Sequence, residues 1–258
     1  MKTSLSFIVV NYQSRDFLER CLASIYKQSF ACSYEIIIVN NDNYPLDGFL
    51  DKPFIKIINN NKNVGFGRAC NLGARSSQNE FLFFLNPDAE ILSAKIDTML
   101  NFLKKNEKAG LLAPKMLSAH DTIEPWSAGR EITPLSIILN NVFKKNGQLS
   151  MDPNTLFEFD WVSGGCFIIS KKFFLTCGGF DEKFFLYFED VDLCKKIRSL
   201  GKKVFIFPQF NILHLGGKSF LNTQEQKGYY YQSQDYYLKK HFGNFWSFVI
   251  RFLRKIFI

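Results

Sequence analysis

Two adjacent carboxylates, Glu189 and Asp190, follow a block of aromatic residues in the stretch FFLYFEDVDLCKKIRSLG. A helical pattern begins directly after them and ends at Gly201. The helix dipole stabilises carboxylates at a helix start, so the pair is predicted to cap this helix. The same position favours the ionised form of a carboxylate, which is the form that a general base requires. Capping and catalysis are therefore both compatible with the pair.

Polar side chains also follow four predicted strands in succession, at residues 11, 40–42, 63–71 and 86–88. Ligands of open parallel sheets bind beyond the carboxyl ends of the strands. Each cluster alone also fits an ordinary turn, because Asn and Asp are common in turns. Four in succession predict a binding site at this edge of the sheet.

Three features near these clusters are suited to binding a phosphate or a metal. Asp88 follows an apolar strand and can bind Mg²⁺ or Mn²⁺ through a bridging diphosphate, although it also fits a turn-initiating Asp. Gly65 and Gly67 can bring backbone amides to a phosphate before a helix start. Their spacing is not GxGxxG, so a dinucleotide-binding fold is not favoured. His214 follows another predicted strand, where a lone histidine is either structural or a metal ligand.

Alternating strands and helices must position these residues. Continuous apolar runs predict buried strands, and apolar residues at helical spacing predict helices. Strand–helix alternation over the first 110 residues indicates an α/β fold with a mostly parallel sheet. Between residues 111 and 160 the pattern weakens around four prolines, which predicts loops and short elements. The predicted strands are residues 5–12, 34–42, 54–65, 80–91, 161–170 and 203–208, and the predicted helices are residues 14–29, 67–77, 94–106 and 191–200.

The chain of 258 residues suits one large domain or two small ones, and its net charge of +8 favours an anionic partner. Its six cysteines are scattered and form no CxxC pair, which predicts reduced thiols in a cytosolic protein. The apolar run near the N-terminus is short and predicts a first strand, not a signal peptide. No stretch of 18 uninterrupted apolar residues occurs, so no transmembrane span is predicted.

The C-terminal segment, residues 236–258, contains five basic residues and no acidic one. It predicts a basic amphipathic helix with Trp and Phe on its apolar side, suited to an anionic bilayer interface. The alternative is a terminal helix that docks on the protein's own core. The predicted polar face consists of Lys240, Asn244, Ser247, Arg251, Arg254 and Lys255.

An ordered series of motifs over roughly residues 4–220 resembles the bacterial family 2 glycosyltransferases, particularly their rhamnosyltransferase-like branch. The last motif, which contains GGFDE, FFLYFEDVDL and a later Gly, Pro and His in that order, is the most specific. The motifs are SFIVVNYQS, EIIIVNND, NVGFGRACNLGA, FLFFLNPDAEI and WVSGGCFIISKKFFLTCGGFDEKFFLYFEDVDLCKKIRSLGKKVFIFPQFNILHLGGKS.

The resemblance implies a GT-A-type, Rossmann-like domain over residues 1–220, with a nucleotide-sugar half (1–110) and an acceptor half (111–220). Residues 221–258 form the expected helical, membrane-associating extension. The implied reaction is inverting transfer of a sugar from a nucleotide-diphosphate-sugar by a single displacement. Asp190 is its implied base, and Glu189 orients that base or contacts the acceptor.

The resemblance also implies a donor site and a metal site. Asp88 and His214 are the implied ligands of a divalent cation, Mg²⁺ or Mn²⁺. Asn40 stands where the family has an Asp that contacts the base of the nucleotide, so the identity of that base is less certain. The implied nucleotide-sugar-binding residues are Val10, Asn11, Asn40, Gly65, Arg68, Asn86 and Asp88.

On the acceptor side, the resemblance points to Trp161, Asp181 and the segment 111–159. The expected donor is dTDP-rhamnose or a UDP-sugar, and the expected acceptor is a lipid-linked or polysaccharide hydroxyl in O-antigen or capsule synthesis. The expected location is the cytoplasmic face of the inner membrane, reached through the C-terminal helix. Nucleic acid is not expected, because the positive charge is concentrated in an amphipathic helix.

Two alternatives stay open at the level of sequence. A nucleotidyltransferase would need a basic, Gly-rich loop after the first strand, and NYQSRDF does not supply it. A non-catalytic, membrane-associated nucleotide-sugar-binding protein would explain why Asn40 and Asn86 occupy positions where acids are expected.

Overall fold

The computed structural model describes residues 3–49, 51–93, 95–143, 155–215 and 223–257. The strands of these ranges are β1 (Ser4–Asn11), β2 (Ser33–Asn40), β3 (Ile55–Asn59), β4 (Phe81–Leu85), β5 (Ala89–Ile91), β6 (Ala109–Leu117), β7 (Ala128–Gly129), β8 (Phe157–Phe159), β9 (Trp161–Val162), β10 (Cys166–Ser170) and β11 (Lys203–His214). The helices are α1 (Arg15–Tyr26), α2 (Phe66–Ser76), α3 (Ile96–Lys105), α4 (Pro134–Phe143), α5 (Lys171–Thr176), α6 (Glu189–Ser199), α7 (Thr223–Phe242) and α8 (Asn244–Phe257).

The main sheet has the strand order β3-β2-β1-β4-β10-β6-β11-β5, and β8 pairs with β11. Pairing is parallel among the first four strands and between β6 and β11, while β10, β5 and β8 run antiparallel to their neighbours. The predicted α/β class with a mostly parallel sheet is therefore confirmed. Strands from both predicted halves of the domain share this one sheet, since β10 lies beside β4 and β11 beside β5.

Helices cover both faces of the sheet. One core packs α1 and α3 against the sheet, and the other packs α2, α5 and α6 against its opposite face. The many phenylalanines meet in edge-to-face and tilted contacts, with the ring centroid of Phe84 at 4.9 Å from that of Phe167 and 5.1 Å from that of Phe174. All six cysteines are buried and free, in agreement with the prediction of reduced thiols.

One central strand contradicts the prediction of loops after residue 111. β6 lies between β10 and β11, although Pro114 interrupts its sequence. Proline lacks the N–H that a central strand donates, so it is normally confined to edges and bulges. The pairing of β6 with β11 shifts register directly after Pro114 pairs with Phe207, and resumes where Lys115 pairs with Asn211. The irregularity accommodates the proline and allows β11 to continue to His214.

The C-terminal segment forms two helices instead of the single helix predicted over residues 236–258. Gly243 separates α7 from α8 with φ of +89°, a left-handed conformation that glycine adopts easily. The predicted domain boundary at residue 220 falls outside the described residues, as do Gly216 and Gly217 of the last family motif. Among the helices that the structure describes, none is long and apolar enough to cross a membrane.

We expect Gly73→Ala to destabilise the fold. Gly73 lies on α2 where the helix meets β1, and an added Cβ would come within 2.5 Å of Ile8 Cγ2. Overpacking of this kind costs about 1–3 kcal/mol, which urea denaturation followed by circular dichroism measures. Gly228 on α7 is the matched control, because an added Cβ there meets nothing within 4 Å. Gly228→Ala should be neutral or stabilising by about 0.5–1 kcal/mol, and equal effects of the two substitutions would contradict the packing argument.

Candidate active site

A cleft of about 600 Å³ opens beyond the carboxyl ends of β1 and β4. Val10 at the end of β1 and Asn86 just after β4 line it, together with Gly65, Asp88 and His214. The parallel sheet brings the ends of these strands to one edge, where open α/β sheets bind their ligands. Five of the predicted site residues therefore meet in one cleft, although they are far apart in the sequence.

The side chains of Asn11 and Asn40 lie behind the cleft wall. The Asn11 amide Nδ2 donates to Asn40 Oδ1 at 2.8 Å, and Asn40 Nδ2 donates to the Tyr44 carbonyl at 2.9 Å. Both side chains are buried, and neither is among the residues that line the cleft. Their hydrogen bonds tie the ends of β1 and β2 together, and the donor contacts predicted for them stay predictions.

Sequence reasoning missed several residues that line the cleft. Asn41 lies one position beyond the predicted Asn40, and its Nδ2 reaches the Gly65 carbonyl at 3.3 Å. Its place in the polar cluster after β2 was the available signal. Glu124 and Trp126 lie in the segment 111–159, which the sequence predicts for the acceptor side only as a whole, and no local signal distinguishes the two residues from an ordinary turn. The missed residues also include Tyr12, Ser14 and Tyr187.

Pairing of β5 with β11 brings the two candidate metal ligands together. His214 pairs with Ala89, the residue after Asp88. The Leu215 N–H donates to the Asp88 carbonyl at 3.0 Å, and Asp88 Oδ1 lies 3.4 Å from His214 Nε2. The strand register thus fixes a carboxylate and an imidazole side by side in the cleft.

Charge links His214 to both carboxylates of the cleft. Burial lowers the pKa of His214, but the hydrogen bond and charge of Asp88, together with the charge of Glu124, outweigh burial and raise that pKa overall. Among the described residues, no group of three or more His, Cys, Asp or Glu side chains is arranged to hold a metal. A cation bound here would therefore take two protein ligands, and its other ligands would come from substrate and water.

Gly65 lines the cleft, but its backbone is already engaged. Its N–H donates to Asn63 Oδ1 at 3.0 Å, and the next N–H, of Phe66, donates to the Phe185 carbonyl at 2.9 Å. An added Cβ at Gly65 would come within 2.7 Å of that same carbonyl, so glycine is required by close backbone approach. The expectation that Gly65 and Gly67 offer free amides to a phosphate is therefore not met at Gly65.

Two backbone amides hold the Asp190 carboxylate at the start of α6. Gly164 N–H donates to Oδ2 at 2.7 Å, and Val191 N–H donates to Oδ1 at 2.8 Å. Asp190 is partly exposed beside the cleft. Its contact Gly164 follows Ser163, and Ser163 lines the cleft. Asp190 thus lies in the first turn of α6, not at its N-cap, which is Phe188, and the same carboxylate is the candidate base.

Burial changes the electrostatics that the sequence predicts for the pair. It raises the pKa of Asp190, and the amides of Gly164 and Val191 offset this only in part. The helix start favours the ionised carboxyl as the sequence predicts, but desolvation outweighs the amides, so the pKa of Asp190 is raised overall. Burial and the charge of Asp190 raise the pKa of Glu189 well above its usual range. Glu189 is 4 % exposed, and its Oε2 has no hydrogen-bond partner.

Three other predicted residues lie away from the cleft lining. Arg68 is exposed and pairs with Glu182 at 3.6 Å. Trp161 packs its ring against Gly129 and donates from Nε1 to the Arg130 carbonyl at 2.9 Å. Asp181 accepts hydrogen bonds from a tyrosine and a lysine of α7. The binding roles predicted for these three residues find no support in their positions.

Residues 6–174 match the family model described as Glycosyl transferase family 2. The match covers well over half of the chain. The chain belongs to this family. The predicted membership is therefore confirmed, and with it a glycosyltransferase activity.

Curated relatives bear out the resemblance of this glycosyltransferase to the rhamnosyltransferase-like branch. One is the N-acetylglucosaminyl-diphospho-decaprenol L-rhamnosyltransferase of Mycobacterium tuberculosis, 26% identical over 241 residues, which covers 83% of this chain and 76% of the relative. Another is the rhamnosyltransferase WbbL of Escherichia coli, 22% identical over 221 residues, with 80% of this chain and 81% of the relative covered.

Among solved structures, the glycosyltransferase is similar to GalNAc-T7 in complex with UDP, GalNAc and Mn²⁺. The TM-score is 0.64 at 19% identity, over 83% of this chain and 44% of that chain. The chain thus spans less than half of that protein's length. At this identity the likeness concerns the fold alone, and it confirms the predicted GT-A-type architecture.

The family match ends at residue 174, before the loop that carries Asp190. In this loop Tyr187 and Phe188 have φ of +68° and +65°, which is strained for residues with side chains. Helix α7 packs along the loop. Its Ser233 hydroxyl donates to the Leu186 carbonyl at 2.7 Å, and its Gln226 amide donates to the Tyr187 hydroxyl at 2.7 Å. The C-terminal region is therefore part of the candidate site's framework.

A buried ion cluster joins α7 to α6. Asp192 is fully buried, and its Oδ1 lies 2.7 Å from both Lys240 Nζ and His241 Nε2. Burial raises the pKa of Asp192, but the hydrogen bonds from His241 and Lys240 outweigh burial and lower that pKa overall. Asp192 lies two residues after Asp190, so the cluster fixes α7 to the part of α6 that carries the candidate base.

We expect Asp192→Asn to lower the free energy of unfolding by about 1.5–3 kcal/mol, because the buried side chain loses the charge that strengthens its contacts with Lys240 and His241. Urea denaturation at pH 7 measures this. Since the folded-state pKa of Asp192 is lowered, its contribution is present above the unfolded pKa of about 3.9 and is lost as pH falls below that value. The difference between the two proteins should therefore shrink in acid.

Tyr237→Phe is the matched control in the same helix. The Tyr237 side chain is fully buried, and its hydroxyl has no hydrogen-bond partner. Removing that hydroxyl should leave stability unchanged or slightly higher. A loss for Tyr237→Phe as large as that for Asp192→Asn would show that the effect is not specific to the ion cluster.

Proposed function

We propose that the protein is an inverting, metal-dependent glycosyltransferase that acts in cell-surface polysaccharide synthesis, such as that of O-antigen or capsule. It transfers a sugar from dTDP-rhamnose or a UDP-sugar to a hydroxyl of a lipid-linked acceptor. The observation that carries the proposal is the Asp190 carboxylate, held by two backbone amides beside a cleft that also contains Asp88 and His214. The name of the mycobacterial relative, which includes a diphospho-decaprenol acceptor, supports the lipid-linked acceptor.

The proposed reaction is a single displacement. The acceptor hydroxyl oxygen attacks the anomeric carbon from the face opposite the nucleotide, and Asp190 takes the hydroxyl proton. The bond between the anomeric carbon and the diphosphate oxygen breaks, and its electrons leave with the diphosphate. Glu189 stays protonated beside the base, in keeping with its raised pKa. A second anion next to Asp190 is thereby avoided.

The donor occupies the end of the cleft formed by Val10, Tyr12 and Asn41, with Asn86 towards the ribose. Behind them, Asn11 and Asn40 fix the positions of the strand ends. Arg68 is left out of this donor site, because it lies in an exposed ion pair.

A divalent cation fits the Asp88 and His214 side chains of the cleft. A carboxylate oxygen and an imidazole nitrogen 3.4 Å apart suit Mg²⁺ or Mn²⁺ when diphosphate and water supply the other ligands. Of the cleft-lining residues in the described ranges, none is Lys or Arg. Diphosphate entering beside Asp88 and Glu124 therefore needs added positive charge. When bound, such a cation acts as a Lewis acid that stabilises charge on the leaving group.

We expect Asp190→Asn to lower the transfer rate by about 10²–10⁴-fold, because the acceptor hydroxyl loses its proton acceptor. Nucleotide release in the presence of acceptor measures transfer, and calorimetry with the nucleotide measures donor-side binding, which should be unchanged. Glu189→Gln is the matched control. It replaces a protonated carboxyl with a neutral amide of the same shape, so most of the activity should be retained.

The pH profile gives an independent check on this assignment. Because burial raises the pKa of Asp190, the acid limb of kcat/KM should lie above the pKa of about 3.9 of an ordinary Asp. Full activity of Asp190→Asn, or loss of activity in Glu189→Gln alone, would assign the base to another residue.

We expect dialysis against EDTA to abolish turnover, and Mn²⁺ or Mg²⁺ to restore it. Asp88→Asn and His214→Ala should each raise the Mn²⁺ concentration required for half-maximal activity, and electron paramagnetic resonance should detect weaker Mn²⁺ binding. Exposed His120 provides the control, since His120→Ala should change neither quantity. Turnover that survives chelation would rule out the metal site.

The proposed membrane contact is the aromatic side of α8, as the sequence predicts, but part of the predicted polar face is not free to meet the headgroups. The face with Ser247, Ile250 and Arg254 packs towards α7, where Arg254 pairs with Asp235 at 2.8 Å. Phe245 and Phe248 are each 69% exposed, and Phe252 is 55% exposed. Leu135 and Leu139 of the neighbouring α4 are also exposed.

An anionic lipid surface is the partner that this apolar face suits. The sequence of α8 contains no acidic residue, and its Arg251 and Lys255 are exposed beside the aromatic side chains. Insertion of aromatic side chains with basic residues at the headgroups is the pattern of interfacial helices. A lipid-linked acceptor would be presented at the same surface.

We expect the protein to co-sediment with vesicles of phosphatidylglycerol and phosphatidylethanolamine. Replacing Phe245, Phe248 and Phe252 by Ser should lower the partition coefficient on the order of 100-fold, because their apolar area no longer enters the interface. Leu200→Ser, at another exposed apolar position, is the control and should bind normally. Failure of the unmodified protein to bind, or its dimerisation through this face in solution, would contradict the membrane assignment.

A further inference from the structure

Trp126 is an exposed aromatic side chain inside the cleft. It is 76% exposed and lines the cleft together with Glu124, two residues before it on the same turn. Trp161, the residue that the sequence predicts for acceptor contact, is held against Gly129 away from the cleft lining. An indole that faces open cleft space leaves a large flat apolar surface without a protein partner.

The turn that carries Trp126 is fixed by its own hydrogen bonds. Glu124 N–H donates to the Met116 carbonyl at 3.0 Å, and Leu117 forms a β-bridge with Ile123. The Ser127 hydroxyl donates to the Glu124 carbonyl at 2.7 Å, and Ser127 is buried. The indole is thus presented to the cleft by an anchored turn, and little ordering is needed before it binds a ligand.

The same turn is connected to the candidate base. Ser163 N–H donates to the Ser127 carbonyl at 2.8 Å, and the next amide, of Gly164, donates to Asp190 Oδ2 at 2.7 Å. The acceptor hydroxyl must come within hydrogen-bond reach of Asp190 to lose its proton. Trp126 therefore lies on a wall of the cleft that one short hydrogen-bonded connection joins to the candidate base.

The chemistry of the pair suits a neutral sugar. A pyranose ring has a face of C–H groups that packs on an aromatic ring, and its hydroxyls donate hydrogen bonds to a carboxylate. Glu124 is negatively charged as a carboxylate and disfavours a phosphate group at its own position. A few polar groups among apolar and aromatic walls are typical of small-ligand sites.

We propose that Trp126 and Glu124 form the acceptor subsite, in which the indole stacks on the terminal sugar of the acceptor glycan and Glu124 accepts hydrogen bonds from its hydroxyls. This inference rests on the proposed function and adds to it the residues that select the acceptor. Stacking orients the ring so that one hydroxyl points to Asp190, and the subsite thereby contributes to the choice of sugar and linkage.

The test combines acceptor kinetics with a binding measurement. The probes are soluble octyl glycosides of N-acetylglucosamine, glucose, galactose and rhamnose, with saturation-transfer NMR to detect the sugar protons that contact the protein. For the preferred glycoside, Trp126→Ala should raise the acceptor KM about tenfold, in line with the loss of one aromatic contact and its area. Trp126→Phe should retain most of the affinity for the acceptor. Glu124→Gln should also raise the acceptor KM, while the stacking on Trp126 is kept.

Donor-side controls separate this inference from the proposed function. Slow hydrolysis of the donor without acceptor should be the same in Trp126→Ala as in the unmodified protein. If nucleotide is released normally but Trp126→Ala leaves the acceptor KM and the NMR contacts unchanged, the subsite is wrong while the proposed function stands. If no glycoside shows contacts that depend on Trp126, the subsite is also wrong. Loss of donor hydrolysis in Glu124→Gln would instead assign Glu124 to the donor and metal side.

Discussion

Two backbone N–H groups hold the Asp190 carboxylate, and the arrangement of the surrounding chain depends on that contact. One amide belongs to α6 itself, and the other, of Gly164, comes from the turn between β9 and β10. An added Cβ at Gly164 would come within 3.2 Å of Asp190 Cβ and 3.3 Å of Phe66. A side chain at position 164 would therefore force Asp190 or Phe66 to shift by a few tenths of an ångström.

Helix α7 supplies much of that fixation. Two consecutive residues before α6, Tyr187 and Phe188, adopt left-handed backbone conformations that cost free energy. Aromatic contacts, hydrogen bonds and the buried Asp192 ion cluster compensate for this cost along one side of α7. The opposite side of the helical pair carries exposed phenylalanines. The C-terminal region is thus both a support for the candidate base and the proposed membrane contact.

Charge in the molecule is distributed unevenly. The chain carries a net charge of +8, yet the titratable groups that the described cleft presents are chiefly Asp88, Glu124 and His214. A cleft of this kind favours a diphosphate only with a bound cation, and it tolerates a neutral sugar at the Glu124 end. Basic residues instead lie on the outer surface of α8, where an anionic lipid headgroup would meet them.

Local sequence patterns determined the strands that form the centre of the sheet, because a continuous apolar run between polar ends reports burial on both faces. They also determined that polar groups gather at one sheet edge, and the ordered motifs determined the family. They failed at β6, where Pro114 hides a central strand, and at Gly243, where a single residue divides one amphipathic pattern into two helices.

Only the tertiary structure decided which of the polar and aromatic residues face the cleft. Asn40 and Asn41 are adjacent in sequence and equally buried, but of the two only Asn41 lines the cleft. No local pattern distinguishes Trp126 from Trp161 as a cleft residue, but of these two only Trp126 lines the cleft. The raised pKa of Asp190 likewise follows from desolvation by segments that are distant in the sequence. Such contacts join residues far apart in the chain, so they depend on strand register and loop packing, which no local pattern encodes.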